Sequence, residues 1–160
     1  MNGQFEVVKK IGEVDIDRIL LELENKKIDA QFPLQGAFED DWRGACGKTY
    51  DLRSDEKDYI VKLYQDMPYT YSILEKYSMY RSRVMKLIPG RCYSYHVEHT
   101  PRIHIPLESN EKSFFIIDDQ VFRLPADGSV YWVDTRKIHT AVNANLERII
   151  RTHIIGNVNE

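Results

Sequence analysis

The sequence predicts an α+β protein in which a helical layer supports an antiparallel β-barrel. Apolar residues recur at helical spacing early in the chain, and after residue 80 the pattern changes to short apolar runs parted by turn signals. A length of 160 residues suits one domain with a core of its own. In "DIDRILLELENKK", Ile16, Ile19, Leu20 and Leu23 share one helical face, and Asp15 can cap the start. "SDEKDYIVKLYQD" predicts a second helix, with Ser54 as N-cap, acids in the first turn and a core stripe of Tyr59, Ile60, Leu63 and Tyr64. The strands expected afterwards are Ser82–Ile88, Arg91–Val97, Arg102–Leu107, Ser113–Ile117, Val121–Leu124, Ser129–Val133, Ile138–Val142 and Arg148–Ile155. Turn signals at Pro89, Ser109, Asp118 and Ala126 separate several of them. Short strands at this spacing suit a sandwich or barrel.

Composition narrows the function. A hydrophobic fraction of 42% is ordinary for a folded domain, and a net charge of −3 without like-charge blocks argues against nucleic acid or anionic membrane as partner. Cys46 and Cys92 make no CxxC pair and read as two reduced, buried thiols of a reducing compartment. The opening "MNGQFEVVKKIGEV" lacks the apolar run of a signal peptide, and no stretch reaches transmembrane length. A cytoplasmic protein is expected.

All five histidines fall in the second half, three of them in "YHVEHTPRIHIP". His96 and Glu98, two apart at a strand end, point to the same face. A third ligand must come from a later strand, and His139 is the best placed. Two histidines and a carboxylate suit a non-haem Fe(II) oxygenase with coordination sites left open, although zinc accepts the same set. His99, in the turn before Pro101, reads as a solvated loop residue. An oxygenase using 2-oxoglutarate also needs an arginine for the far carboxylate of that co-substrate. Arg148 and Arg151 are the candidates, expected on opposite faces of one strand, and periodicity does not choose between them.

The stretches "PGRCYSYHVEHTPRIHIPLESN", "LPADGSVYWVDTRKIHTAVN" and "RTHIIG", in that order, resemble the aspartyl/asparaginyl β-hydroxylase family. The resemblance covers roughly Arg81 to Gly156. It implies a double-stranded β-helix of cupin type, Fe(II), and 2-oxoglutarate and O₂ as co-substrates. Carried over by motif, His96 and His139 match the iron-binding histidines and Glu98 matches the carboxylate position. Arg102 and His104 match a pair lining the co-substrate pocket. Arg151, followed by His153 as a core or second-rank residue, matches the arginine that grips 2-oxoglutarate, and Arg148 remains a substitute. Glu98 is one methylene longer than the usual Asp, vertebrate members have Gly there, and Met85 stands where a vertebrate serine contacts the co-substrate.

The chain is thus expected to form a single dioxygenase domain over residues 1–160, with 1–80 helical and substrate-shaping and 81–156 the metal-binding core. The resemblance implies oxidative decarboxylation of 2-oxoglutarate coupled to hydroxylation of an unactivated carbon, in an amino acid or an Asp- or Asn-type side chain. Trp42, Arg43, Arg81 and Arg83 are the candidates for recognising a small-molecule, amino-acid or peptide substrate. A non-catalytic binding module of the same fold, or a zinc-dependent hydrolase or isomerase, would use the same His/Glu/His set.

Overall fold

The computed structural model describes residues 6–160. Its elements are β1 (Val8–Glu13), α1 (Ile16–Leu23), β2 (Gln31–Pro33), β3 (Gln35–Gly36), β4 (Val61–Lys62), α2 (Pro68–Lys76), β5 (Tyr80–Leu87) and β6 (Arg91–Cys92). There follow β7 (Arg102–Glu108), β8 (Ser113–Ile117), β9 (Gln120–Phe122), β10 (Ser129–Val133), β11 (His139–Asn143) and β12 (Arg151–Asn157). One six-stranded sheet runs β1-β10-β7-β12-β5-β2, a four-stranded sheet runs β6-β11-β8-β9, and β3 pairs with β4 alone. The architecture is mostly β with two helices. The expected barrel is not closed: its strands divide between two sheets whose inner faces meet.

Strand alternation explains the layers. On β5, β7 and β12, Val84, Ile103, Ile105 and Ile154 point to one face, and they bury against Ile19 and Leu23 of α1 and Tyr71, Ile73 and Leu74 of α2. The residues between them, Arg83, Met85, Arg102, His104, Arg151 and Ile155, point to the other face and line a cavity between the sheets. An apolar cluster of Leu87, Phe115, Ile117, Val133 and Ala141 closes the sandwich beside it.

The first helix forms as expected, with the Asp15 carboxylate accepting from the Arg18 N–H at 3.2 Å. Its Leu20 is exposed. The second helix does not form over residues 54–66. That segment holds only a single 3₁₀ turn and β4, because tertiary partners take its backbone groups. The Tyr59 carbonyl accepts from Arg81 N at 2.8 Å, and Leu63 N and Tyr64 N both donate to the Tyr71 hydroxyl at 3.1 Å. Tyr59 and Leu63 are buried, but Ile60 is exposed. The helix begins instead at Pro68, suited to a first turn that needs no N–H, and Glu22 of α1 accepts from the N–H groups of Tyr69 and Thr70 at 2.7 and 2.8 Å. All eight expected strands have counterparts, but Arg91–Val97 shortens to β6, and β12 begins three residues later than expected. Four strands escaped the sequence reading: β1 and β2, which form the two edges of the main sheet, and the short pair β3 and β4. Cys46 is half-buried and Cys92 is exposed, so the expectation of two buried thiols is corrected. No helix among the described residues is long and apolar enough to cross a membrane.

A bulge shapes one end of the cavity. Ile155 pairs with Arg83 while Asn157 pairs with Tyr80, so β5 carries an extra residue there. Arg81 sits in that bulge at φ +52°, a left-handed conformation that costs on the order of 1–3 kcal/mol for a residue with a Cβ. Opposite it, a Cβ on Gly156 would come within 2.5 Å of Ser82 Oγ, so this close approach requires glycine. Arg81 is held in place by Glu56, whose Oε2 accepts from its Nη1 at 2.6 Å, and by the Gly47 carbonyl at 3.0 Å. Asn157 donates to the same Glu56 oxygen at 2.7 Å. Burial alone would raise the Glu56 carboxyl, but Arg81 and Asn157 outweigh it and hold the group below its ordinary value of 4.5.

Because the folded-state value is depressed, the Glu56 contribution to stability is complete above about pH 4.5 and is lost as pH falls through the lower folded value. Glu56→Gln, which keeps the shape and removes the charge, should cost roughly 1–3 kcal/mol at pH 7. Thermal melts of both proteins from pH 7 to pH 3 check this: the gap should close toward pH 3, and a constant gap would assign it to packing instead.

Candidate metal and anion site

Between the two sheets lies an open cavity of about 470 Å³. His139 opens β11, and His96 forms an isolated antiparallel bridge with it. His96 N donates to the His139 carbonyl at 3.1 Å, and His139 N donates to the His96 carbonyl at 3.0 Å. Residues facing each other in this way present their side chains on one side of the sheet, and the ring centroids lie 4.4 Å apart. Each ring is also oriented. His96 Nδ1 lies 2.6 Å from the Ser94 carbonyl, and His139 Nδ1 lies 2.8 Å from the Lys137 carbonyl. A carbonyl only accepts, so both Nδ1 atoms carry a proton, and a neutral ring then offers its lone pair at Nε2, the arrangement of metal-binding imidazoles. Burial holds the His139 ring below its ordinary value and so favours the neutral form a metal needs.

The carboxylate is placed differently. Glu98 Oε1 stands 3.4 Å from His96 Nε2 but 2.7 Å from Arg102 Nη2. Among the described residues no three His, Cys, Asp or Glu side chains are gathered as a ready metal cage, and Glu98, the expected third ligand, is paired with Arg102. Two imidazoles fit the role, and the third group is held by an arginine. His99 is exposed and outside the cavity lining.

Four arginines line the cavity, each with little or no exposure. Arg81 is paired to Glu56 and Arg102 to Glu98. Arg83 and Arg151 have no carboxylate within ion-pair distance among the described residues. Arg83 donates through Nη1 to the Arg81 carbonyl at 3.0 Å and leaves Nε unpartnered. Burial, then its positive neighbours Arg102 and Arg81, push it down to about 9, so it remains charged at neutral pH. Arg151 lies with its guanidinium carbon 4.8 Å from the Phe115 ring centroid, and its Nη1 is buried without a partner. Buried cationic donors without acceptors mark a place for an anion. Along the sheet, Arg83 pairs with Ile155, four residues from Arg151, which separates the two backbones by about 13 Å.

Several candidates are sorted by these facts. Arg148 lies in the turn before β12, exposed and at φ +64°, so the expectation that it and Arg151 share a strand is corrected. Trp42 and Arg43 are exposed and take no part in the cavity; Trp42 packs on Tyr64 instead. His104 and His153 are fully buried beside Arg151, and Met85 faces the cavity. Sequence reasoning missed Gln31, Tyr93, Thr135 and the Gly47–Tyr50 wall, which lie on short or irregular segments without periodicity.

Comparison with known proteins now adds to the geometry. A curated-protein search gives no match. Among solved structures, the chain is similar to a cupin 2 domain-containing protein from Halorhodospira halophila, at TM-score 0.40 and 12% identity over 48% of this chain and 50% of that one. It is also similar to a cupin superfamily protein from Desulfitobacterium hafniense, at TM-score 0.39 and 16% identity over 49% of this chain and 66% of that one. The cupin 2 domain of an XRE family transcriptional regulator from Enterobacter cloacae gives TM-score 0.41 and 18% identity over 54% of this chain and 87% of that one. The match spans half the length of the first neighbour and 66% of the second. The family model for aspartyl/asparaginyl β-hydroxylase, by contrast, matches residues 15–158. With nearly the whole described chain inside that match, the protein belongs to the aspartyl/asparaginyl β-hydroxylase family.

Proposed function

We propose that this hydroxylase-family protein is an Fe(II)- and 2-oxoglutarate-dependent dioxygenase that hydroxylates an unactivated carbon of an amino acid or of an Asp- or Asn-type side chain. The observation that carries the reading is the meeting, in one cavity, of two imidazoles whose Nδ1 atoms are each engaged by a backbone carbonyl and a buried arginine with no carboxylate partner among the described residues. His96 and His139 would hold the metal, and Glu98 is the third candidate, released from Arg102 if it serves. When bound, iron with 2-oxoglutarate and O₂ supplies the oxidising power for breaking a C–H bond.

The chain's own residues have separate tasks. Arg151 would grip the far carboxylate of 2-oxoglutarate through its free Nη1, with Phe115 beneath the guanidinium plane. Arg102 and His104, on the neighbouring β7, line the same cavity. Met85 cannot donate a hydrogen bond where a hydroxyl could, so the anchor depends on Arg151. Arg83, the other unneutralised guanidinium, would hold a substrate carboxylate at the far end of the cavity, while Arg81 is committed to Glu56. The apolar surround of Phe115, Ala141 and Ile155 keeps water from the reacting groups.

Anaerobic addition of Fe(II) and 2-oxoglutarate should give a visible charge-transfer band, and its absence would remove the dioxygenase reading. His96→Ala or His139→Ala should abolish iron binding, whereas His99→Ala should retain it; iron stoichiometry after anaerobic desalting decides. In Glu98→Ala, near-normal coupling of succinate release to product would strike Glu98 from the ligands. Arg151→Met should weaken 2-oxoglutarate binding by about 30-fold to several-thousand-fold, the loss expected for truncating one partner of a buried charge pair. Arg148→Met should stay near wild type. Titration of each iron-loaded protein without oxygen reads both, and the opposite ranking would move the anchor to Arg148.

A further inference from the structure

Arg151 has an unusual partner for a buried arginine. Its only side-chain hydrogen bond among the described residues runs from Nη2 to His153 Nδ1, at 3.2 Å. A guanidinium can only donate, so His153 Nδ1 must be the bare, accepting nitrogen and Nε2 must carry the proton. His104 Nδ1 stands 3.4 Å from that same nitrogen. Arg151 and His153 are two apart on β12, so one strand face delivers both. Both imidazoles are buried, and burial, with Arg151 beside each, keeps their values well below the ordinary histidine range.

A carboxylate in place of His153 would orient the guanidinium equally well. It would also cancel its charge and compete with an incoming anion. A neutral imidazole acceptor orients the group and leaves the charge free. We infer that His153 is a positioning residue, a neutral tether that fixes Arg151 at the cavity wall with Nη1 left unpartnered, while preserving its charge for the co-substrate carboxylate. This inference rests on the co-substrate reading given above.

Asparagine and aspartate test it, because each places an oxygen where His153 Nδ1 lies and the two differ only in charge. Glutarate is the probe beside 2-oxoglutarate, since it has both carboxylates but no keto group for a metal, and calorimetry on the full chain reads its affinity. His153→Asn should bind both anions within about threefold of wild type. His153→Leu, which fills the space but accepts nothing, should bind about tenfold more weakly, the loss expected for a hydrogen bond to a charged group. His153→Asp should bind at least about 30-fold more weakly, with its charge set against the anion. Should the aspartate variant fail to fold, the asparagine and leucine pair still decides, because a packing role favours leucine and a tether favours asparagine. Equal affinities in the Asn and Asp variants, or wild-type affinity in the Leu variant, would overturn the inference alone. Wild-type protein that binds neither anion would overturn the co-substrate reading and the tether with it.

Discussion

Uncompensated positive charge is the constraint around which the inner face is built. Four guanidinium groups face one cavity, and Glu56 and Glu98 answer only two of them. Leaving a buried charge unpaired costs several kcal/mol, so the sandwich must supply that energy from the other side of the same strands. It does so by alternation: Arg83, Arg102, His104 and His153 on β5, β7 and β12 are each flanked by an outward Val or Ile packed on the helices. Fully burying such an aliphatic side chain contributes about 1.5–3 kcal/mol. The helical layer is therefore what permits a polar interior, and the cavity chemistry and the outer core are two faces of one periodic pattern.

That coupling also explains why strained features gather at one end of β5. The bulge at Arg81 turns its side chain toward Glu56 and Gly47, and so ties the irregular segment between β3 and β4 to the sheet. The cavity wall formed by Gly47 to Tyr50 has no ladder of its own. Its position rests on hydrogen bonds, from Arg81 Nη2 to the Gly47 carbonyl and from Gly47 N to Gln31 Oε1, rather than on strand pairing.

The sequence made the inner face legible where alternation was strong. Arg102 with His104, and Arg151 with His153, stand two apart within apolar runs, and both pairs lie on strands as spacing requires. Alternation could not choose between Arg148 and Arg151, because the start of β12 is set by a turn whose left-handed residue is an arginine rather than a glycine. β1 was missed for a physical reason: as an edge strand with mostly exposed residues, VKKIGE carries no burial pattern. The misplaced helix at Ser54 followed good local signals that tertiary bonds to Tyr71 and Arg81 overrode, while Pro68 marked the true start. Same-face spacing also left the partner of Glu98 open, since a rule of two says where a carboxylate points but not which neighbour claims it.

The central place of β12 has a consequence for how the molecule comes into being. This strand lies between β7 and β5, yet it is the last of the sheet in chain order. A nascent chain emerging from its N-terminal end can pair β2 with β5, and later β1 with β10 and β10 with β7, but the two groups have nothing to join them until residues 151–157 arrive. Assembly is then a single late insertion across large sequence separations, the kind of topology that folds slowly and exposes unpaired edges meanwhile. The strand that carries Arg151 is also the keystone that ends that exposure. Sequence change in it is screened twice, once for what it binds and once for whether the two halves of the sheet ever meet.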